Sequence, residues 1–122
     1  MSRDLYERAV AISQRAYAPY SNYFVGAAVR TRDGKVFEGV NVENAAYPLG
    51  VCAEKSALAK AVSEGYKPGD IEAIGITASP CGGCRQWLYE FRVDEVTFLS
   101  ATGGLATYSA AELLPDTWDL PA

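Results

Sequence analysis

The chain has 122 residues, 49% apolar and 21% charged, which fits one soluble domain over residues 1–122 and argues against disorder. Its formal charge is −4, from 11 Lys and Arg against 15 Asp and Glu, with no basic run, so a nucleic-acid partner is not expected. It has no histidine and three cysteines, which excludes a Ser-His or Cys-His pair within the chain and leaves one thiol over from any disulfide framework.

Met1 to Glu7 mix both charge signs, so no signal peptide is read there, and no run is long and apolar enough to span a bilayer. A cytoplasmic protein is expected. Residues 2–16 read as a helix: Ser2 suits the cap, Asp4 and Glu7 the positive end, Arg15 the other end. Leu5, Ala9, Ile12 and Ala16 share one of its faces, and Pro19 breaks it. Residues 24–31 form a nearly continuous apolar strand, expected to be covered on both faces. Asp33-Gly34 marks a hairpin, with the return strand over 36–42. Residues 43–51 show no period and read as a loop. A helix follows over 53–64, with Ala53, Ala57, Leu58, Ala61 and Val62 on one face and Gly65 ending it.

Residues 71–77 read as a buried strand, ended by Ser79-Pro80. A short helix over 82–91 places Cys84, Leu88 and Phe91 on one side. A strand over 93–99, a turn, an edge strand over 105–108 and a helical turn over 111–114 complete the chain. Tyr6, Phe37, Trp87 and Phe98 are assigned to packing, and eight tyrosines suit a subunit interface. The hairpin implies antiparallel pairing in the first half, and strand–helix alternation implies parallel pairing in the second. A mixed sheet with helices on both faces is expected.

Cys81-Gly82-Gly83-Cys84 is by itself either a redox pair or half of a zinc site. Cys52 and this pair both fall at the starts of predicted helices. Two adjacent helix N-termini can bring three thiols to one point and favour their thiolate forms. A tetrahedral thiolate set suits Zn²⁺. A closed structural site needs four protein ligands, and here only three thiols are on offer. The fourth position falls to a carboxylate, another chain or water, and three ligands plus water is the catalytic pattern. Glu54, two residues after Cys52, lies in the first helical turn, placed as an acid–base group rather than a ligand. Cys-Ala-Glu followed by Pro-Cys-x-x-Cys is the order found in zinc nucleobase deaminases. A trithiolate site is electron-rich, so Arg85 and Lys55 are expected to hydrogen-bond or screen the sulfurs. The plainer reading makes Cys52 a core residue, Glu54 a helix-start carboxylate, and Arg85 and Lys55 surface charges.

Six stretches then occur in order: Tyr17–Ser21, Val25–Ala28, Asn41–Tyr47, Cys52–Glu54, Ser79–Gln86 and Glu112–Pro115. Through them the chain resembles the cytidine deaminase family, in its small homotetrameric zinc-dependent type. The resemblance implies a three-layer α/β/α sandwich around a five-stranded mixed sheet. It implies one Zn²⁺ per subunit on Cys52, Cys81 and Cys84. It implies that Glu54 takes a proton from the attacking water, passes it to N3 of the pyrimidine, and serves the departing amino group. Asn41 and Glu43 would hold the ribose hydroxyls, while the Ala53 amide and the backbone around Cys81 meet the base. Tyr23 would wall the nucleoside pocket, and Tyr47 a wall shared between subunits. The substrate is expected to be a small nucleoside in pyrimidine salvage, with no nucleic acid or membrane involved.

Four departures from the family pattern stand out. Tyr23 and Trp118 stand where relatives usually carry Phe, the latter reaching over a neighbour's site. Lys55 replaces a common Arg, and the segment between Ile76 and Pro80 is short. These predict a retained reaction with altered tolerance for N4- or C5-substituted cytidines. Two alternatives are a deaminase of another aminopyrimidine nucleoside, such as blasticidin S, and a zinc or redox module without turnover.

Overall fold

The computed structural model describes residues 2–120. The first helix, α1 (Arg3–Ser13), buries Leu5 and Ala9 as its apolar spacing predicts. It is shorter than expected because the chain turns after Ser13 and Tyr17 N–H reaches across to the Asn41 carbonyl (3.1 Å). Ser2 precedes the helix but its side chain does not cap it; Ser2 Oγ donates instead to Glu95 Oε1 (2.8 Å).

The hairpin forms as expected, with β1 (Gly26–Thr31) antiparallel to β2 (Val36–Val40) and Gly34 at a positive φ of 93° between them. The first strand starts two residues later than read, because the Val25 N–H is taken by the Asn41 side chain. Then come α2 (Ala53–Ser63), β3 (Ile71–Ile76), α3 (Gly82–Glu90), β4 (Glu95–Leu99), β5 (Leu105–Tyr108) and α4 (Ala110–Leu113). The stretch read as a plain loop contains a 3₁₀ turn at Tyr47–Leu49, and Val42 bridges Val51 beside it.

The five strands lie in the order β2-β1-β3-β4-β5. Only the β3–β4 pair is parallel, joined through α3; the other pairings are antiparallel. The sheet is therefore mixed, and the expected three-layer architecture is borne out. On one face α1 rests on β1 and β3, with Leu5 against Ala28 and Ala73. On the other, α2, α3 and α4 enclose Ala27, Val29, Ile74, Ile76, Leu58, Leu88 and Leu113. Strand alternation explains the split: Ala27 and Val29 look one way, Ala28 the other.

Both helix layers approach the sheet at backbone distance. A Cβ on Gly75 would collide with the Tyr6 nitrogen, and one on Gly39 with the Ala57 nitrogen. Only glycine allows that contact. Two packing assignments need correction. Val62 is exposed on the outer side of α2, and Trp87 is on the rim of the core, stacked on Phe91 at 6.2 Å.

Candidate metal centre and active-site cavity

Two helix starts build the site. The chain leaves β2, crosses 41–51 and enters α2 at Cys52, whose extended backbone makes it the residue before the helix. The chain leaves β3, crosses 77–80 and enters α3 at Cys81, in the same cap position. Cys84 sits one turn further on, fully buried, and its N–H donates to Cys81 Sγ (3.4 Å). The three sulfurs lie within 4.8 Å of one another. A tetrahedral zinc with Zn–S bonds of about 2.3 Å needs S···S edges of about 3.8 Å, so a small closure of this trio accommodates the ion.

The electrostatics suit a cation. The Cys52 thiol is lowered to about 6, chiefly because its thiolate accepts from Cys84, helped by Cys81 and by the Lys55 ammonium and opposed by burial. Cys84 is pushed up, because it is the thiol that donates to Cys52 and because it is buried. The Cys52 thiolate thus forms readily, and a metal must displace the Cys84 proton.

Glu54 occupies the first turn of α2, at only 4% exposure. Burial raises its pKa, with the Cys52 charge adding to the effect. It lines the same cavity, of about 220 Å³, as Cys52 and Cys81, together with Tyr23, Val25, Asn41, Ala53, Ala78 and Ser79. Sequence reasoning named Glu54, the cysteines, Ala53, Asn41 and Tyr23. It missed Val25, Ala78 and Ser79 as walls, although Ser79 directly precedes the Pro-Cys pair.

Asn41 does two things at once. It lines the cavity, and its side chain accepts from Val25 N–H and donates to the Tyr23 carbonyl, both at 2.9 Å. Glu43 instead lines an adjoining hollow with Asn41, Asn44, Tyr47 and Cys52. Its carboxylate accepts from the N–H groups of Tyr20 (3.0 Å) and Ser21 (3.2 Å) and from the Ser21 hydroxyl, which holds its pKa below the usual range. Tyr23 lines the cavity at 62% exposure, so its hydroxyl needs no buried partner. Tyr47 is 87% exposed beside the adjoining hollow, and Trp118, 76% exposed, lines neither hollow.

The two basic residues, both expected beside the sulfurs, part ways. Arg85 makes no bond to a sulfur; its guanidinium donates to the Pro80 carbonyl (2.9 Å), the Leu113 carbonyl (3.2 Å) and Ser79 Oγ (3.3 Å). Lys55 is the cation beside the Cys52 thiol, its Nζ 3.6 Å from the Cβ position at Gly83, over the C-x-x-C turn.

Residues 1–100 match the model of the cytidine and deoxycytidylate deaminase zinc-binding region. The chain belongs to this deaminase family. A probable cytidine deaminase of Dictyostelium discoideum is 45% identical over 109 residues, spanning 84% of this chain and 73% of that protein. The cytidine deaminase of Halalkalibacterium halodurans is 41% identical over 119 residues, 91% of this chain and 89% of the relative. The crystal structure of cytidine deaminase from Burkholderia pseudomallei has a TM-score of 0.88 at 44% identity, covering 97% of this chain and 99% of that one. The family's zinc and the thiol trio agree: this deaminase takes zinc as its cofactor. No helix among the described residues is long and apolar enough to cross a membrane.

Proposed function

We propose that the chain hydrolyses cytidine and 2′-deoxycytidine to uridine and 2′-deoxyuridine, releasing ammonia. The observation that carries this reading is the buried Glu54 carboxyl in the same cavity wall as two of three clustered thiols. Zinc held by Cys52, Cys81 and Cys84 supplies a Lewis acid that makes water nucleophilic near neutral pH.

Glu54 does the proton work. Its carboxylate takes a proton from the attacking water as the oxygen adds to C4, and delivers it to N3. The remaining hydroxyl proton returns through Glu54 to the amino nitrogen, which leaves as ammonia while the C4 carbonyl forms. A single carboxyl can serve both directions when its pKa is raised toward the working pH, and burial supplies that rise. The Ala53 amide, at the start of α2, and the backbone of Cys81 lie on the cavity wall where they can hold the base.

Asn41 and Glu43 hold the ribose hydroxyls. The hollow of Glu43 adjoins the cavity through Asn41 and Cys52, which line both. Tyr47 and Trp118 project into solvent from one subunit, as residues that complete a neighbour's site in a homotetramer do. The enzyme acts as one catalytic unit per chain in cytoplasmic pyrimidine salvage. The exposed Tyr23 ring and the short 77–80 loop extend its tolerance to N4- or C5-substituted cytidines.

The test is loss of cytidine's ultraviolet absorbance with matching ammonia release by the zinc-loaded protein. Glu54→Ala is expected to abolish turnover while zinc remains bound. Absence of turnover on cytidine and deoxycytidine by the zinc-loaded wild type would overturn the reading.

A further inference from the structure

The loop between β3 and α3 carries two cavity walls, Ala78 and Ser79, and delivers Cys81 to the metal position. Its hydrogen-bonded support is thin beyond Thr77, although Pro80 is buried. Thr77 N–H still bonds back to the Gly26 carbonyl (3.1 Å), but the next three residues leave the sheet. Pro80 has no N–H to offer. Among the described residues, the only hydrogen bonds made by Ala78, Ser79 and Pro80 are those they accept from Arg85, at the Pro80 carbonyl and Ser79 Oγ.

The third arm of the same guanidinium bonds the Leu113 carbonyl, at the end of α4, 28 residues away in sequence. That segment is fastened to α3 and its exit at two further points. Ala110 N–H donates to the Val93 carbonyl (3.1 Å), and Arg92 pairs with Asp119 (2.9 Å). The C-terminal segment is therefore a fixed backstop. Arg85 spans from that backstop to a loop whose other anchors are the Thr77–Gly26 bonds at its start and the burial of Pro80.

We infer that Arg85 is a positioning residue: it locks the Ser79-Pro80 wall and Cys81 against the C-terminal segment, acting on metal and substrate without touching either. A planar fork suits this task, because it holds three acceptors in one geometry. A lysine cannot replace it, since one ammonium is not shaped to span the three. The inference rests on the deaminase reading for its substrate, but not for its metal.

The experiment compares wild type with Arg85→Gln, Arg85→Lys and Ser79→Ala, by chelator competition for zinc and by steady-state kinetics on cytidine at saturating zinc. Arg85→Gln is expected to weaken zinc retention about 10- to 100-fold. It is expected to raise KM about fivefold while kcat stays within about twofold, since Glu54 is untouched. Arg85→Lys is expected to behave like Arg85→Gln. Ser79→Ala keeps both carbonyl bonds, so it should fold and shift KM about twofold with zinc retention unchanged. Arg85 variants that lose thermal stability while keeping wild-type zinc competition and KM would overturn the inference. So would full rescue by Arg85→Lys, which would reduce the role to charge. Failure of the wild type on cytidine would sink the substrate reading alone, and the zinc arm would still decide the role of Arg85.

Discussion

The metal end of the cavity and its proposed sugar end are built by opposite means. At the metal end, rigid helix starts hold buried groups: Cys84 is fully buried and Glu54 nearly so, and three sulfurs meet within 4.8 Å. At the other end, half-buried and exposed loop residues are held by side-chain bonds to main chain, with Asn41 clasping Tyr23 and Val25, and Glu43 clasping Tyr20 and Ser21. The first end is organised by fold, so its chemistry does not wait for substrate. The second is organised by a few polar contacts, so its shape can respond to what binds.

The comparison breaks most violently at the metal end. Cys84→Ala is expected to reduce both metal content and turnover to background, which elemental analysis beside the ammonia assay would show. Glu54→Gln preserves shape and is expected to lower kcat by about 10²- to 10⁴-fold with zinc content unchanged. Effects should then shrink toward the sugar end. Asn41→Ala removes the clasp on Tyr23 and Val25, so a loss of about 1–3 kcal/mol in stability is expected, together with a raised KM. Denaturant titration and kinetics on one sample would separate the two.

Glu43 sharpens the contrast through pH. Its folded pKa lies below the ordinary value of 4.5, held there first by the Ser21 hydroxyl and then by the backbone of Tyr20 and Ser21. Its contribution is therefore complete above that ordinary value and fades as pH falls through the lowered one. Glu43→Gln should flatten the acid limb of a melting-temperature profile and leave the neutral region nearly level. The smallest effect is expected from Tyr23→Phe: stability within about 0.5 kcal/mol, with any change confined to the ratio of kcat/KM between cytidine and N4-substituted analogues.

The two ends also differed in how far they could be read from residues alone. Cysteine spacing, the Cys-Ala-Glu triplet and the Pro-Cys start encode the metal end locally, and the helix starts form where the residue pattern puts them. The sugar end depends on contacts between distant segments. Asn41 shortens the first strand by capturing Val25, and Tyr17 pairs with Asn41 to end the helical region early. No local period records either event. Arg85 shows the same limit: its place after Cys84 pointed to the sulfurs, whereas its partners come from the preceding loop and from α4. The hairpin and the mixed sheet were legible because the Asp33-Gly34 turn and the later strand–helix alternation mark them locally; the strand order, with β1 beside β3, is set by pairings between distant segments that no local pattern records.

Gly39 and Gly75 press against α2 and α1 from opposite sides of the sheet. The nearest atoms at both places are main chain, so trimming a neighbouring side chain would not make room for an added methyl. A lineage drifting under weak selection has no small step at either position. Descendants of this enzyme should therefore diversify first around the mouth of the cavity, with these two points pinned while the sequence between them wanders.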